Sequence, residues 1–205
     1  MQIHPVTLTG HFVRLEPMSE AHLPDFLSVG LDDAIWRYML YGDIHTEQDL
    51  RAWVLDILAR QARGTDLPFA VIDLESRRAI GATRYLNIQP EHRNLEIGGT
   101  WYATEFQGSG VNADAKYLLL RHAFESLGCL RVQFKTDSRN LRSQHAIRRL
   151  GAVQEGVLRK HMILPDGLVR DSIYYSIIDD EWPAVKAGLE ARLEGYAAAA
   201  RRSAS

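Results

Sequence analysis

Residues 101–112 read WYATEFQGSGVN, and in this stretch a strand ends, a glycine-rich turn follows and a helix begins at once. Such a turn presents free backbone N–H groups, and with the helix dipole they form an anion site suited to a diphosphate. The alternative is that the glycines serve only the conformation of a tight turn. No third glycine follows three residues after Gly110, and no Gly-Lys-Ser/Thr ending is present, so neither common nucleotide-binding fingerprint is met.

The residues that precede this stretch predict a strand, two helices and a meander. Residues 7–15 alternate in hydrophobicity like a strand, and apolar residues at helical spacing follow Ser19 up to Gly30. A second helix is predicted from Thr46, as N-cap, to near Gly64. Strand-like runs then occupy 68–74, 79–86 and 95–102, with polar turn residues between them.

The residues that follow predict a strand–helix alternation that ends in a hairpin. A helix is predicted over 110–127, a strand over 131–136, a short helix over 141–150, strands over 153–164 and 168–178, and a last helix that opens at 179–183. This order predicts a mixed α/β sheet with helices on both faces. We expect a single domain over 1–196 and a disordered tail over 197–205.

Composition excludes several classes of protein. The 205 residues are 46% apolar with a formal charge of −2, and acidic and basic residues alternate, which argues against a dedicated nucleic-acid binder. No apolar run approaches the length of a membrane span and the start lacks a signal-peptide pattern, so we expect a cytoplasmic protein with no membrane partner. The lone Cys129 is interpreted as a small core residue, and no metal site is predicted.

Several motifs together resemble one enzyme family. Gln107-x-x-Gly110-x-Asn112 is similar to the Q/R-x-x-G-x-G/A acetyl-CoA loop of GNAT acetyltransferases, although Asn112 replaces the last small residue. The surrounding sequence resembles the RimJ/RimL-like branch of this family in the segments 95–98, 115–116, 121–125, 140–143, 150–152 and 155–156. The resemblance implies a mostly antiparallel sheet of about seven strands with a central, splayed parallel pair, here 95–102 and 131–136.

The resemblance also implies acetyl-CoA as cofactor and assigns residues to it. Main-chain groups of Thr100, Trp101 and Tyr102 would bind the thioester and the pantetheine arm, and Asn140 and Ser143 would contact the same arm. From local chemistry, Asn140 is also predicted to be the N-cap of the helix over 141–150, with Ser143 in its first turn. The diphosphate would lie against Gln107, Gly108, Ser109, Gly110, Val111 and Asn112. Lys116, one turn into the helix, either adds charge there or packs along its stem.

The implied reaction is direct attack of a primary amine on the thioester in a ternary complex. Glu96 is the best candidate for the base that deprotonates the amine, and Ser143 would protonate the departing thiolate. Alternatively, Glu96 is a half-buried strand carboxylate that pairs with a neighbour such as Arg84. His161 is a second candidate base.

The acceptor is expected to be a protein N-terminus or a small-molecule amine. Trp36, Tyr38 and Tyr41 in a predicted loop, with Arg159 and Tyr174 near the last hairpin, are candidate acceptor contacts, or else they fill space under the loop. A non-catalytic acyl-CoA sensor is the competing hypothesis. Both a monomer and a homodimer are compatible with the sequence.

Overall fold

The computed structural model describes residues 1–42 and 44–203, which form one eight-stranded sheet in the order β1-β2-β3-β4-β5-β6-β8-β7. The strands are β1 (Leu8–Thr9), β2 (Val13–Pro17), β3 (Leu67–Asp73), β4 (Ala79–Gln89), β5 (Asn94–Tyr102), β6 (Arg131–Asp137), β7 (Val153–Ile163) and β8 (Val169–Ile178). The helices are α1 (Leu23–Val29), α2 (Asp33–Trp36), α3 (Glu47–Ala62), α4 (Val111–Arg121), α5 (Leu141–Arg148) and α6 (Trp182–Ser203). The β5–β6 pair is parallel and the other strand pairs are antiparallel. The predicted fold class is confirmed.

Helices cover both faces of the sheet. Along β3, Phe69 and Val71 belong to the core cluster that includes α4 and α6, whereas Ala70 and Ile72 belong to the cluster that includes α1 and α3. Because successive strand residues point to opposite faces, the two clusters lie on opposite sides of the sheet. We call these the α4 face and the α3 face.

The sheet has eight strands rather than about seven because the predicted first strand is interrupted. Gly10 donates to the carbonyl of Val13 at 2.9 Å, and β1 folds back on β2. The Asp114 carboxylate of α4 accepts hydrogen bonds from the backbone N–H groups of Phe12 at 2.6 Å and Val13 at 3.0 Å. A β-carbon at Gly10 would lie 2.4 Å from that carboxylate, so only glycine fits the turn.

The helix ends follow local capping chemistry. Thr46 and Asp49 form the capping box that begins α3, and the Asn140 side chain accepts from the Ser143 N–H at the start of α5. The predicted helix over 110–127 is α-helical only to Arg121 and continues as a π-helical segment, His122–Ser126. Residues 33–36, predicted as loop, form the short α2.

The last helix and the core complete the architecture. The α6 helix extends to Ser203, beyond the predicted domain end at 196, and the last two residues of the predicted tail lie outside the described residues. Cys129 is buried, as predicted. Among the described residues, no helix is long and apolar enough to cross a membrane.

Candidate active site

The glycine-rich turn leads into an open helix N-terminus. Gly110 is the N-cap of α4 and has no side chain to cap the first turn, and the Val111 N–H donates to Ser109 Oγ at 3.2 Å. Gly108 has a φ of 82° and a β-carbon there would meet open space. The Gln107 amide donates to the carbonyl of Tyr102 at 2.9 Å, and Ser109 Oγ donates to the carbonyl of Phe106 at 2.6 Å. Thus the loop is ordered by hydrogen bonds from its own side chains.

The β5 strand leaves its parallel partner just after Glu96. The β5–β6 pairs are Asn94 with Arg131, Leu95 with Val132 and Glu96 with Gln133, and pairing stops there. A register shift against β4 follows between Gly98 and Trp101, and Gly99 adopts a φ of 56°. The edge of β5 that bears the main chain of Thr100, Trp101 and Tyr102 therefore opens into the gap expected for a pantetheine arm. The side chains of Trp101 and Tyr102 are buried on opposite faces of the sheet.

Lys116 does not point at the glycine-rich turn. Its side chain is buried on the α4 face, where Nζ donates to Thr100 Oγ1 at 2.6 Å and lies 3.4 Å from Thr83 Oγ1. Burial lowers the pKa of this amine to about 7. The placement predicted at the diphosphate is corrected, because the lysine stem folds under β5 rather than toward the helix N-terminus.

Asn140 and Ser143 lie just beyond the end of β6. Asn140 Oδ1 accepts from the Ser143 N–H at 3.0 Å, which confirms the capping role of Asn140. Ser143 is partly exposed in the first turn of α5. Both residues follow the strand that borders the gap, which is compatible with contact to the pantetheine arm.

Glu96 is buried at the point where the parallel pair separates, with 2% of its surface exposed. Its Oε2 accepts hydrogen bonds from the amides of Asn87 and Gln133, each at 2.8 Å, and its Oε1 lies 3.7 Å from Lys135 Nζ. The suggested pair with Arg84 is wrong. Arg84 instead lies 2.9 Å from Asp66 and contacts the Tyr41 hydroxyl, because its stem points toward β3 and the loop after α2.

Polar groups surround Glu96 on the α3 face of β6 and β8. His161 Nδ1 lies 3.0 Å from Ser172 Oγ and its ring packs edge-on against Tyr174. Lys135 Nζ lies over the Tyr174 ring at 5.8 Å, and Arg170 is buried 3.9 Å from Asp137. Burial, together with the charges of Lys135 and Arg170, lowers the pKa of His161. The structure therefore brings Glu96, His161 and Tyr174 into one polar cluster.

The other candidate acceptor residues divide between core and surface. Trp36 belongs to α2 and is buried, with its indole N–H donating to the Gly30 carbonyl at 2.7 Å, so its predicted loop position is corrected. Tyr41 is partly buried beside Arg84, and Arg159 is exposed on β7. Tyr38 lines a cavity of about 230 Å³ together with Arg37, Arg139, Leu164, Asp166 and Leu168. The Tyr38 carbonyl, 3.4 Å from Arg170 Nη1, connects this cavity to the polar cluster.

The sequence did not predict the residues that donate hydrogen bonds to Glu96, nor the contact of Asp114 on α4 with β2. Asn87 reaches Glu96 because a register shift in β4 gives it a φ of 49°. Gln133, Lys135 and Asp137 alternate along β6, and this period-2 polar pattern could have indicated a sheet face without an apolar cover. Asp114, on an otherwise apolar helix face, gave no local signal of its contact with β2.

The fold and the site define an acyltransferase scaffold with a splayed parallel pair, a diphosphate-compatible helix start and a buried carboxylate at the gap. A model of the acetyltransferase (GNAT) domain matches residues 13–153, and the chain belongs to this family.

Its relatives support the predicted branch. It is 34% identical over 100 residues to a Bacillus subtilis (strain 168) protein provisionally named ribosomal N-acetyltransferase YdaF. The aligned region covers 49% of this chain and 54% of that protein. It is 27% identical over 138 residues to the ribosomal-protein-serine acetyltransferase of Escherichia coli (strain K12), which covers 67% of this chain and 75% of the relative. The crystal structure of a provisionally named acetyltransferase from T. thermophilus is 46% identical, with a TM-score of 0.85 over 94% of this chain and 100% of that one. The chain thus matches about half the length of the first relative.

Proposed function

We propose that this protein transfers the acetyl group of acetyl-CoA to a primary amine, and that the α-amine of a protein N-terminus is the acceptor to test first. The observation that carries the proposal is the buried Glu96 carboxylate at the point where β5 and β6 separate. Two relatives bear names of ribosomal-protein acetyltransferases, which supports a protein acceptor over a small amine.

The residues present fit acyl-CoA. The N-terminus of α4 offers backbone N–H groups of its first turn to a diphosphate, and Gly108, where a β-carbon would meet open space, leaves the preceding backbone accessible. The open edge of β5 offers main-chain groups of Thr100, Trp101 and Tyr102 to an amide-bearing arm, and the arm would also meet Asn140. When bound, acetyl-CoA supplies the thioester that is attacked.

We assign Glu96 as the base that accepts the proton of the acceptor amine, directly or through a water molecule. Two amide donors hold Oε2, so Oε1 is the oxygen left to act as base. Lys135 Nζ lies 3.7 Å from this oxygen.

Two further groups complete the proposed chemistry. We assign the Thr100 N–H, on the part of β5 beyond its pairing with β6, as the donor to the developing oxyanion. Ser143 donates the proton that coenzyme A needs when it leaves as a thiolate. His161 is the alternative base, since its lowered pKa leaves it neutral near pH 7, although Ser172 already occupies its Nδ1.

The acceptor would enter from the α3 face. Tyr174 and His161 border Glu96 there, and the cavity beside Tyr38 lies next to Arg170. An extended peptide N-terminus fits a surface made of strand side chains and a covering loop, with its second and third residues toward the cavity.

Calorimetric titration with acetyl-CoA tests the cofactor, and thiol release with amine panels tests the acceptor. The panel contains short peptides that differ in the first residue, the same peptides with a blocked N-terminus, and small amines. We expect release only with free N-termini. Release with small amines alone would overturn the protein-acceptor proposal, binding without release across the panel would support the sensor, and absence of binding would remove the proposed function.

A further inference from the structure

Lys116 joins three elements at the open edge of β5. It is on α4, its Nζ is 2.6 Å from Thr100 Oγ1 of β5 and 3.4 Å from Thr83 Oγ1 of β4, and the two hydroxyls are 2.7 Å apart. Thr100 follows the Gly98–Gly99 irregularity, on the part of β5 that no longer pairs with β6. This part of β5 pairs with β4 alone, and the cluster adds a side-chain contact from α4 at Thr100.

The amine is buried without an acidic partner among residues 1–42 and 44–203, where no ion pair involves it. Only 7% of Lys116 is exposed. Burying an ammonium without a counter-charge is costly, and burial accordingly lowers the pKa of Lys116 to about 7. An anion arriving nearby would favour the charged form again.

The titratable groups on the elements packed around Lys116 are otherwise engaged. Asp114 accepts from the N–H groups of β2, and His122 contacts the Tyr85 hydroxyl. Burial raises the pKa of both Tyr85 and Tyr102, so these phenols stay neutral near pH 7. Burial also lowers the pKa of His122 from its ordinary value of 6.5, so among these groups Lys116, with a pKa of about 7, is the one whose charge changes closest to neutral pH.

The position of Lys116 links the two halves of the cofactor site. It is six residues after Gly110, which places it about 9 Å along the helix axis from the diphosphate turn. Its side chain then reaches Thr100, whose main chain faces the gap. An anionic ligand that spans both features lies within electrostatic range of the amine.

We propose that Lys116 is a positioning residue for acyl-CoA: it holds the free edge of β5 through Thr100, and it takes up a proton when the anionic ligand binds. The inference rests on the proposed binding of acyl-CoA. It goes beyond that proposal because it assigns the role to a buried amine rather than to a surface charge on the diphosphate.

The test compares wild type with Lys116→Met, Thr100→Val and the exposed control Lys160→Met by calorimetric titration with acetyl-CoA. Titrations at pH 7.5 in buffers of different ionisation enthalpy report the protons taken up per binding event. The cofactor's own phosphate, which titrates near pH 6, contributes equally in all four proteins. Thermal melts and circular dichroism confirm that each variant is folded.

We expect net proton uptake in wild type and Lys160→Met, and its loss in Lys116→Met. The Kd for acetyl-CoA should rise about tenfold in Lys116→Met and Thr100→Val, as for the loss of one charge-assisted hydrogen bond. A double variant that combines Lys116→Met and Thr100→Val should bind acetyl-CoA no worse than either single variant, because both changes remove the same contact.

Unchanged Kd and unchanged proton uptake in Lys116→Met would overturn this inference while leaving the proposed function in place. Failure of wild type to bind acetyl-CoA would remove both. If Lys116→Met does not fold, the test is the Kd of Thr100→Val for acetyl-CoA. A wild-type Kd in that variant would overturn the inference.

Discussion

Glu96 shows how single residues acquire a role from their neighbours. Its sequence position suggested a base, and in the fold its surroundings are two amide donors on Oε2 and the lysine 3.7 Å from Oε1. A buried carboxylate held in this way keeps one oxygen directed at a fixed point. The role of base remains a prediction.

Glu96→Gln should lower kcat/KM about 10²- to 10⁴-fold, the usual contribution of a general base, because the amide cannot accept the proton. The Kd for acetyl-CoA should stay near that of wild type. Steady-state thiol release and calorimetry measure the two quantities. Glu155→Gln is the matched control, because Glu155 lies on the exposed β7 strand and accepts a hydrogen bond from Arg131 of β6. Equal rates in the Glu96→Gln and Glu155→Gln variants would exclude Glu96 as the base.

Lys116 should make the stability of the ligand-free protein depend on pH. Between pH 7 and 10.5 the unfolded chain holds a proton that the folded amine, with a pKa of about 7, has released. Stability therefore rises with pH in this window, by at most about 1.4 kcal/mol per pH unit. Urea unfolding at pH 7, 8 and 9 should show this rise in wild type and Lys160→Met but not in Lys116→Met; parallel profiles would contradict it.

At the scale of elements, the α4 helix organises the site from two sides. Its N-terminus follows the glycine-rich turn, and Lys116 and Asp114 connect it to β5 and to β2. Gly110 fits beside the Phe12 ring, where a β-carbon would lie 2.8 Å away. The β2 start and the glycine-rich turn therefore depend on each other.

Asp114→Ala should lower the free energy of unfolding by about 1–3 kcal/mol, because the buried N–H groups of Phe12 and Val13 lose their acceptor. Urea denaturation measures the change. Asp56→Ala, which removes an exposed helical ion pair with Arg60, should cost less than about 0.5 kcal/mol. Equal costs in the two variants would show that Asp114 is not a structural tether.

At the scale of the whole molecule, α6 closes the α4 face. Trp182, Leu189 and Leu193 are its buried residues, and the helix then continues past 196 with partly or fully exposed side chains. This distribution supports the proposal of a single domain that ends near 196.

A chain that ends at Tyr196 should have a free energy of unfolding within about 1 kcal/mol of that of the full chain, because residues 197–202 bury little apolar area. A chain that ends at Gly188 is the control and should be strongly destabilised, because it lacks Leu189 and Leu193. Thermal and urea unfolding measure both, and a loss above about 2 kcal/mol at Tyr196 would move the domain end further along α6.

Local sequence signals were sufficient for most of the order of elements and for the position of the glycine-rich turn. The capping box of Thr46 and Asp49, the cap at Asn140 and the glycine-rich turn each depend on residues a few positions apart, so their structures could be predicted. The prediction of one strand over 7–15 was wrong because the carboxylate of Asp114, about a hundred residues away, accepts hydrogen bonds from the N–H groups of Phe12 and Val13.

The sequence by itself determined the fold class, the family and the position of the glycine-rich turn, because these depend on periodicity and short motifs. Only the tertiary structure decided that Glu96 is held by Asn87 and Gln133 rather than by Arg84, and that Lys116 turns under β5. The physical reason is strand register: irregularities in β4 and β5 rotate particular side chains toward partners on other elements, and no local pattern records that rotation.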